Sequence, residues 1–325
     1  MPEKIRDNIY RIAVTLPGSP LKVVNSYLIM GQPRNLLIDT GFNHPASERD
    51  MDAALAGLQV DLDRTDILLT HIHSDHSGLV GRIARPQTRV FCPKNELARI
   101  RGAERGHLWQ LDIDRMRSLG CPEELLSDQE TFSTSRAMAP DGDFTRYSPL
   151  SNGDTFPCGA HVVRAVKAPG HTPDHMCFYM EDQRILFTGD CVLFDITPNI
   201  TAWREMEDAL GTYMDSLRML DSLSVDLALP GHRTPGDFHA RIADLLLHHQ
   251  HRLEEAYQVV KQNPGATVYE LSSRMTWKMR NNSWAAFPPY QKWFAVGEGH
   301  SHLQHLEKLG RIGRVADELV RYQVV

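Results

Sequence analysis

No run in this sequence approaches the roughly 20 consecutive apolar residues that a membrane-spanning helix needs, so no membrane association is expected. The opening stretch, MPEKIRDNIYRIAV, places charge where a secretory leader needs its apolar segment, which predicts a cytoplasmic protein. Cysteine is scarce. Its five copies (Cys92, Cys121, Cys158, Cys177 and Cys191) are odd in number, scattered and without CxxC spacing, which points to reduced thiols rather than a disulfide framework. Positive charge is not in excess either. The formal net charge of −6 gives no general attraction to nucleic acid or anionic membrane. Residues 238–325 carry a mild net charge of +3, read here as ordinary surface solvation. Internal repeats and low-complexity segments are also missing.

The composition that remains, 42% apolar and 23% charged, is that of an ordinary globular protein, the strand and helix patterns that follow read as an α/β chain, and 325 residues suffice for one large domain and a small one, or two medium ones. IYRIAVTL, NSYLIMG and NLLIDTG read as short strands punctuated by Gly and Pro. A helix follows, with Met51, Leu55 and Leu58 on one face. DILLTH and TRVFCPK are further strands. Residues 94–150 are charged and partly helical, and read as a lid-like insertion over the mouth of a site. Its Lys94, Arg99, Arg101 and Arg105 offer contacts for a carboxylate, although basic residues on a helix are usually solvated. Strands resume with HVVRAVKAPGH, HMCFYM and RILFTGD, and helices are predicted at about 203–222 and 238–262. The first carries Met206, Leu210, Tyr213, Leu217 and Leu220 on one face, the second Ile242, Leu245, Leu246, Leu253, Tyr257 and Val260. The second stops at an Asn–Pro–Gly breaker. A domain boundary is placed near 238, giving 1–237 and 238–325.

Sixteen histidines are distributed unevenly, and LLTHIHSDHSGL packs His71, His73, Asp75 and His76 into six positions. Imidazole and carboxylate in that density suit divalent metals such as zinc, with iron and manganese as alternatives. Two ions need about seven protein ligands with positions left open for water and substrate, so more must come from elsewhere. APGHTPDH supplies His171, LFTGDC supplies Asp190 and ALPGHRTPG supplies His232, each directly after a strand. His175 and Asp39 are read as partners that orient a ligand or its loop. Cys191 is read as a packed small residue. His44, His107, His161, His239, His248, His249 and His251 are assigned to solvation or helix capping.

These motifs together resemble the metallo-β-lactamase superfamily of metallohydrolases. The likeness rests on LLIDTG at 36–41, HxHxDH at 71–76, Gly–His at 170–171, TGD at 188–190 and Gly–His at 231–232. It implies a four-layer αββα sandwich with a site at one edge of two sheets. It implies that His71, His73 and His171 hold one metal, that Asp75, His76 and His232 hold a second, and that Asp190 bridges them. The chemistry implied is hydrolysis by a metal-bridging hydroxide, with Asp75 as its catalytic partner.

The catalytic portion is similar to hydroxyacylglutathione hydrolases without their glutathione-binding helices. SSRMTW and VGEGHSHLQHLEKLGRIGRV resemble the winged-helix tail of the branch that includes mitochondrial β-lactamase-like proteins. That branch implies either a small acyl thioester or ester as substrate, or single-strand RNA cleavage. Leu303, Leu306 and Leu309 in the tail suit a packing or dimerisation module at least as well as a nucleic-acid surface. WAAFPPYQKWF at 284–294 reads as an oligomer interface, a core packing loop or a flap over the substrate.

Overall fold

The seven strands of the first sheet run in simple sequence order: β1 (Glu3–Arg6), β2 (Ile9–Thr15), β3 (Val23–Ile29), β4 (Asn35–Ile38), β5 (Thr65–Leu68), β6 (Arg89–Pro93) and β7 (Tyr147–Leu150). The structure is a computed structural model. It describes residues 1–100, 102–127, 137–140, 146–278 and 283–325, and the side chains of Ala98, Ile100 and residues 102–107 lie outside that description. The readings made for Arg101, Arg105 and His107 therefore fall outside it. Pairing is antiparallel from β1 to β4 and parallel from β4 to β7. A second sheet orders β12 (Leu227–Pro230), β11 (Ile185–Gly189), β10 (Met176–Met180), β9 (His161–Lys167) and β8 (Thr155–Cys158). Only its β11–β12 pair is parallel.

The layering follows from the two-residue period of the strands. On β3, Val24 and Leu28 face a core shared with Met51, Leu55 and Ile83, while Tyr27 and Ile29 face a core shared with Phe178 and Phe187 of the second sheet. On β11, Ile185 and Phe187 face the first sheet, and Leu186 faces a third core with Leu210, Leu217 and Leu245. Both sheets are thus covered on both faces, and inner strands such as β3 and β11 are buried almost throughout. Helices α1 (Pro45–Gly57), α2 (Ser74–Ser77) and α3 (Val80–Ile83) follow the early strands, and α1 and α3 cover the first sheet. The charged segment predicted as an insertion contributes α4 (Leu97–Ile100), α5 (Gly102–Ser118) and α6 (Glu123–Leu126). Helix α7 (Ala209–Asp221) and helix α8 (Phe238–Gln262) pack on the second sheet. The result is helix, sheet, sheet, helix.

Two helix boundaries differ from the sequence reading, each for a local reason. Helix α7 begins at Ala209 rather than near 203, because Asp208 caps it by accepting from Gly211 N at 2.8 Å. Met206 accordingly lies outside the helix. Helix α8 matches its predicted span, capped by Asp237, which accepts from Ala240 N at 3.0 Å. Helix α9 (Val268–Ser272) opens with a capping box between Thr267 and Glu270.

Helix α10 (Pro289–Lys308) starts well upstream of the GHSHLQHL segment, at the Pro288–Pro289 pair. Leu303 and Leu306 are buried, but Leu309 sits at the C-cap, 56% exposed, and not on the apolar face assigned to it. A small third sheet orders β13 (Ala266–Thr267), β15 (Arg321–Val324) and β14 (Ile312–Val315). Leu245, Leu253, Val296, Leu303 and Tyr322 share one core with Leu210, Tyr213 and Leu217.

Candidate metal centre

Every residue singled out for the site follows the carboxyl end of a strand or the loop just beyond it. Asp39 follows β4, His71 and His73 follow β5, His171 follows β9, Asp190 follows β11 and His232 follows β12. Asp75 and His76 lie on the single turn of α2, which His73 opens. Strands end where ligands bind in open α/β sheets, because the sheet fixes the strand and leaves the loop free to present side chains.

Seven residues converge. The ligand atoms of His71, His73 and His171 lie within 4.8 Å of one another, as do those of His71, His76 and Asp190, and those of Asp75, His76 and His232. His73 Nδ1 and His171 Nε2 are 3.1 Å apart. Asp190 reaches both ends, with Oδ2 3.8 Å from His171 Nε2 and 3.5 Å from His232 Nε2, and Oδ1 3.4 Å from His76 Nε2. His232 Nε2 also faces Asp75 Oδ2 at 3.3 Å. His71, His76 and His232 are fully buried, whereas the Asp75 side chain is 14% exposed, at the mouth.

Four of the five imidazoles, those of His71, His76, His171 and His232, are aimed by a bond on the far nitrogen. Asp39 Oδ2 lies 2.7 Å from His76 Nδ1, and Thr70 donates to the same carboxylate from N and Oγ1, both at 2.8 Å. Asp39 adopts a left-handed backbone at φ 59, a region that Asp tolerates better than most residues. His71 Nδ1 is 2.9 Å from Thr70 Oγ1. His171 Nδ1 donates to Asn199 O and His232 Nδ1 to Val23 O, both at 2.9 Å. Because a carbonyl only accepts, those two rings carry hydrogen on Nδ1 and turn Nε2 inward. His175 Nε2 accepts from Asp190 N at 3.2 Å and so supports the loop that carries the carboxylate. Glycine is required beside it: a Cβ on Gly231 would sit 2.6 Å from Asp190 Oδ1 and 2.8 Å from His76 Cε1.

The electrostatics divide the cluster. Burial, together with repulsion from neighbouring imidazoles, holds His71 well below the usual histidine range and His73 at about 3. Burial likewise lowers His171, against the pull of Asp190. In the other half, burial opposes a charged ring, but Asp190, Asp39 and Asp75 outweigh it at His76 and raise it well above the usual range. Asp190 and Asp75 likewise outweigh burial at His232 and bring it to about 10. For the carboxylates, burial is outweighed by His76 and His232, which hold Asp75 down at about 2 and Asp190 well below the usual range. That half demands positive charge.

The inward atoms support the same conclusion. Nε2 of His71, His76 and His232 and Oδ1 of Asp190 are buried without a hydrogen-bond partner. An unpartnered buried polar atom costs about 1–3 kcal/mol. Lone pairs converging on one small space fit divalent cations, which take imidazole nitrogen and carboxylate oxygen.

Three contributors escaped the sequence reading. Glu96 is fully buried, and it accepts from Ile72 N through Oε2 and from Asp174 N through Oε1, both at 2.9 Å. It ties the loop of the first histidines to the loop of His171, and burial pushes its carboxyl up to about 7. Its only signal was an acidic residue just after a strand, in VFCPKNE. Trp203 lies over His73 with ring centroids 6.1 Å apart and donates to His171 O at 2.9 Å. Asn199 acts through its backbone carbonyl, which no residue type announces.

Of the basic residues expected to meet a carboxylate, Lys94 is exposed. Arg99 is already engaged by Glu205 at 2.8 Å and lies 5.0 Å over the Trp203 ring. His44 caps α1, with Nδ1 accepting from Ala46 N at 3.0 Å. His249, assigned to solvation or capping, is instead completely buried, against Tyr213 and 3.3 Å from His302 Nε2. In the segment 284–294, Trp293 stacks on Trp109 at 5.7 Å, and Trp284 donates to Tyr269 OH at 3.1 Å, so these aromatics pack inward.

Comparison with known proteins is consistent with this geometry. The family model described as "Metallo-beta-lactamase superfamily" matches residues 20–232. A curated relative, the lactamase-like protein nscB of Neosartorya fischeri, is 25% identical over 88% of this chain and 84% of its own length. The atrochrysone carboxyl ACP thioesterase of Aspergillus fumigatus is 30% identical over 66% of this chain, which spans only 39% of that protein. A crystal structure of a metallo-beta-lactamase family protein from Thermus thermophilus superimposes with a TM-score of 0.81 at 29% identity, covering 99% of this chain and all of that one. With a family model that matches about two thirds of its length and a site built from strand ends, this chain belongs to the metallo-beta-lactamase superfamily.

Proposed function

We propose that the chain is a hydrolase dependent on two divalent metal ions, most simply zinc, and that it cleaves a small acyl thioester or ester. The observation that carries this reading is the convergence of seven buried or half-buried ligands with unpartnered atoms turned inward. His71, His73 and His171 would hold one ion and Asp75, His76 and His232 the other, with Asp190 between them. Ions held there acidify a water toward neutral pH and polarise a carbonyl oxygen, so no protein nucleophile is needed. The chain's own part is to aim the ligands and manage the proton. Asp39 fixes the His76 ring, Glu96 fixes the spacing of two ligand loops, and Asp75, at the mouth, is placed to hold the proton of the attacking water. Trp203 walls the site beside His73 and limits access of bulk water.

The thioester class is supported by the relatives named as acyl-carrier-protein thioesterases, at 30% and 29% identity. The competing reading, cleavage of single-stranded RNA, draws on the tail. Its order of long helix, strand, two helices and hairpin, with β15 between β13 and β14, supports a winged-helix reading of residues 238–325 as a unit. The second of those two helices, α10, is however turned inward, with Ala295, Val296, Ser301 and Leu303 buried, and it bonds to the loop beyond Asp190. A helix face spent on packing is not free for a groove, and this favours the small acyl substrate. All five cysteines are free and buried, which supports a reducing, cytoplasmic setting. Among the described residues no helix is long and apolar enough to cross a membrane.

The test is turnover of acyl-carrier, acyl-CoA and acyl-glutathione thioesters beside a labelled single-stranded RNA. Thioester cleavage that disappears in Asp75→Ala is expected. RNA cleavage lost in that variant, with no thioester turnover, would overturn the substrate assignment.

A further inference from the structure

Helix α10 belongs to the region beyond the family match, which ends at residue 232, yet one of its faces is spent on a loop of the metal centre. Three residues of that face, Gly297, Glu298 and Ser301, fasten three positions of the loop, Ala202, Asn199 and Ile200. Gly297 O accepts from Ala202 N at 3.0 Å. Glu298 Oε2 accepts from Asn199 Nδ2 at 2.9 Å. Ser301 Oγ donates to Ile200 O at 2.5 Å. The approach is so close that a Cβ on Gly297 would sit 2.1 Å from Thr201 Oγ1. From the insertion, Arg115 donates to Ala202 O. The fastened loop does one visible thing. Asn199 O, at its start, receives the Nδ1 proton of His171, and Trp203, just past its end, donates to His171 O at 2.9 Å. The loop residue whose carbonyl selects the His171 tautomer is therefore held by a carboxylate on helix α10.

Glu298 is costly where it is. Burial pushes its carboxyl above the usual range, while Arg252 and the bond to Asn199 act the other way. An aliphatic side chain would pack there without that penalty. A carboxylate kept at such a place is best explained by the bond it makes.

Resting on the metal-dependent reading above, we infer that Glu298 is a positioning residue for the metal centre. Through Asn199 it holds the carbonyl that aims His171, and it makes the C-terminal region part of the site shared by His71, His73 and His171. Loss of an orienting partner of a ligating histidine typically weakens metal affinity about 10- to 100-fold. The half formed by Asp75, His76 and His232 draws its orienting bonds from Asp39 and Val23 and is independent of this contact.

The test is a zinc titration of the full chain against a chromophoric chelator, in the wild type and in Glu298→Ala, Glu298→Gln, Asn199→Ala and the double alanine variant. Glu298→Ala is expected to weaken one of the bound ions about 10- to 100-fold and leave the other unchanged. Glu298→Gln retains an acceptor and is expected to restore affinity to within a few-fold of wild type. Asn199→Ala removes the same bond from the loop side, and the double variant is expected to be no worse than either single one, since both delete one interaction.

Zinc uptake by the wild type with unchanged affinity in both single alanine variants overturns the inference alone. Equal weakening of both ions, unrescued by Glu298→Gln, also overturns it, because that is the signature of general unfolding. No zinc uptake by the wild type overturns the metal reading and this inference with it. If Glu298→Ala fails to fold, the outcome is read from Glu298→Gln and Asn199→Ala.

Discussion

The two halves of the cluster share His71 and Asp190 as neighbours but are built differently. His71, His73 and His171 form a carboxylate-free trio whose rings are kept neutral by burial and mutual repulsion. Asp75, His76 and His232 sit among carboxylates that demand a cation. Their supports differ as well. The trio leans on Glu96, Asn199 and, behind it, helix α10. The other half leans on Asp39 and the first sheet, where Asn25 of β3 donates to Pro230 O at 3.0 Å and Tyr27 OH donates to the same carbonyl at 2.8 Å. On the proposed metal-dependent reading, charge would attract a cation in one half, and preorganised neutral rings would receive one in the other. The halves should therefore fail separately when their separate supports are removed.

The largest effect is expected where the halves meet. His71→Ala removes a ring that lies within ligand reach of both groups. It should reduce activity by more than the roughly 100-fold that an orienting partner costs, with the fall in bound metal read by elemental analysis. Next comes Asp39→Ala, which strips the His76 ring of its partner and should weaken one ion about 10- to 100-fold in a chelator competition. Asp39→Asn suits the left-handed backbone and should fall less far. If Asp39→Ala and Glu298→Ala weaken the same ion, the separation of the halves is wrong.

Glu96→Ala is smaller in affinity and larger in stability. It leaves the buried Asp174 N and the half-buried Ile72 N without their acceptor, at about 1–3 kcal/mol for the first and less for the second, measurable by denaturant unfolding. An unchanged midpoint would show that water replaces the carboxylate. Smallest is Leu309→Ser, at an exposed helix end far from both supports, which should change stability by less than about 0.5 kcal/mol.

How much of this was readable in advance follows the same divide. His71, His73, Asp75 and His76 stand close together in sequence, and the other three candidate ligands repeat a strand-then-ligand pattern, because the proposed metal chemistry would restrict the residue types and strand ends restrict the places. The layered fold was readable for a similar reason, since buried strands must be aliphatic runs. What stayed hidden acts through backbone atoms or across long separations. Asn199 contributes a carbonyl that any residue has. Glu96 looks like one more surface acid until its bonds to Ile72 N and Asp174 N are seen. Glu298 lies in a helix whose start the Pro288–Pro289 pair set well ahead of the apolar pattern. His249 was misjudged because a histidine in a run of three reads as solvated, while helix periodicity turns that one inward against Tyr213.

The central claim, a metal-dependent hydrolase with two differently supported halves, is tested most directly by the metal content of the purified full chain after growth in metal-replete medium, measured alongside His71→Ala. The account predicts about two divalent ions per wild-type chain and a clear deficit in the variant. A content near zero in the wild type, with His71→Ala indistinguishable from it, would contradict the account.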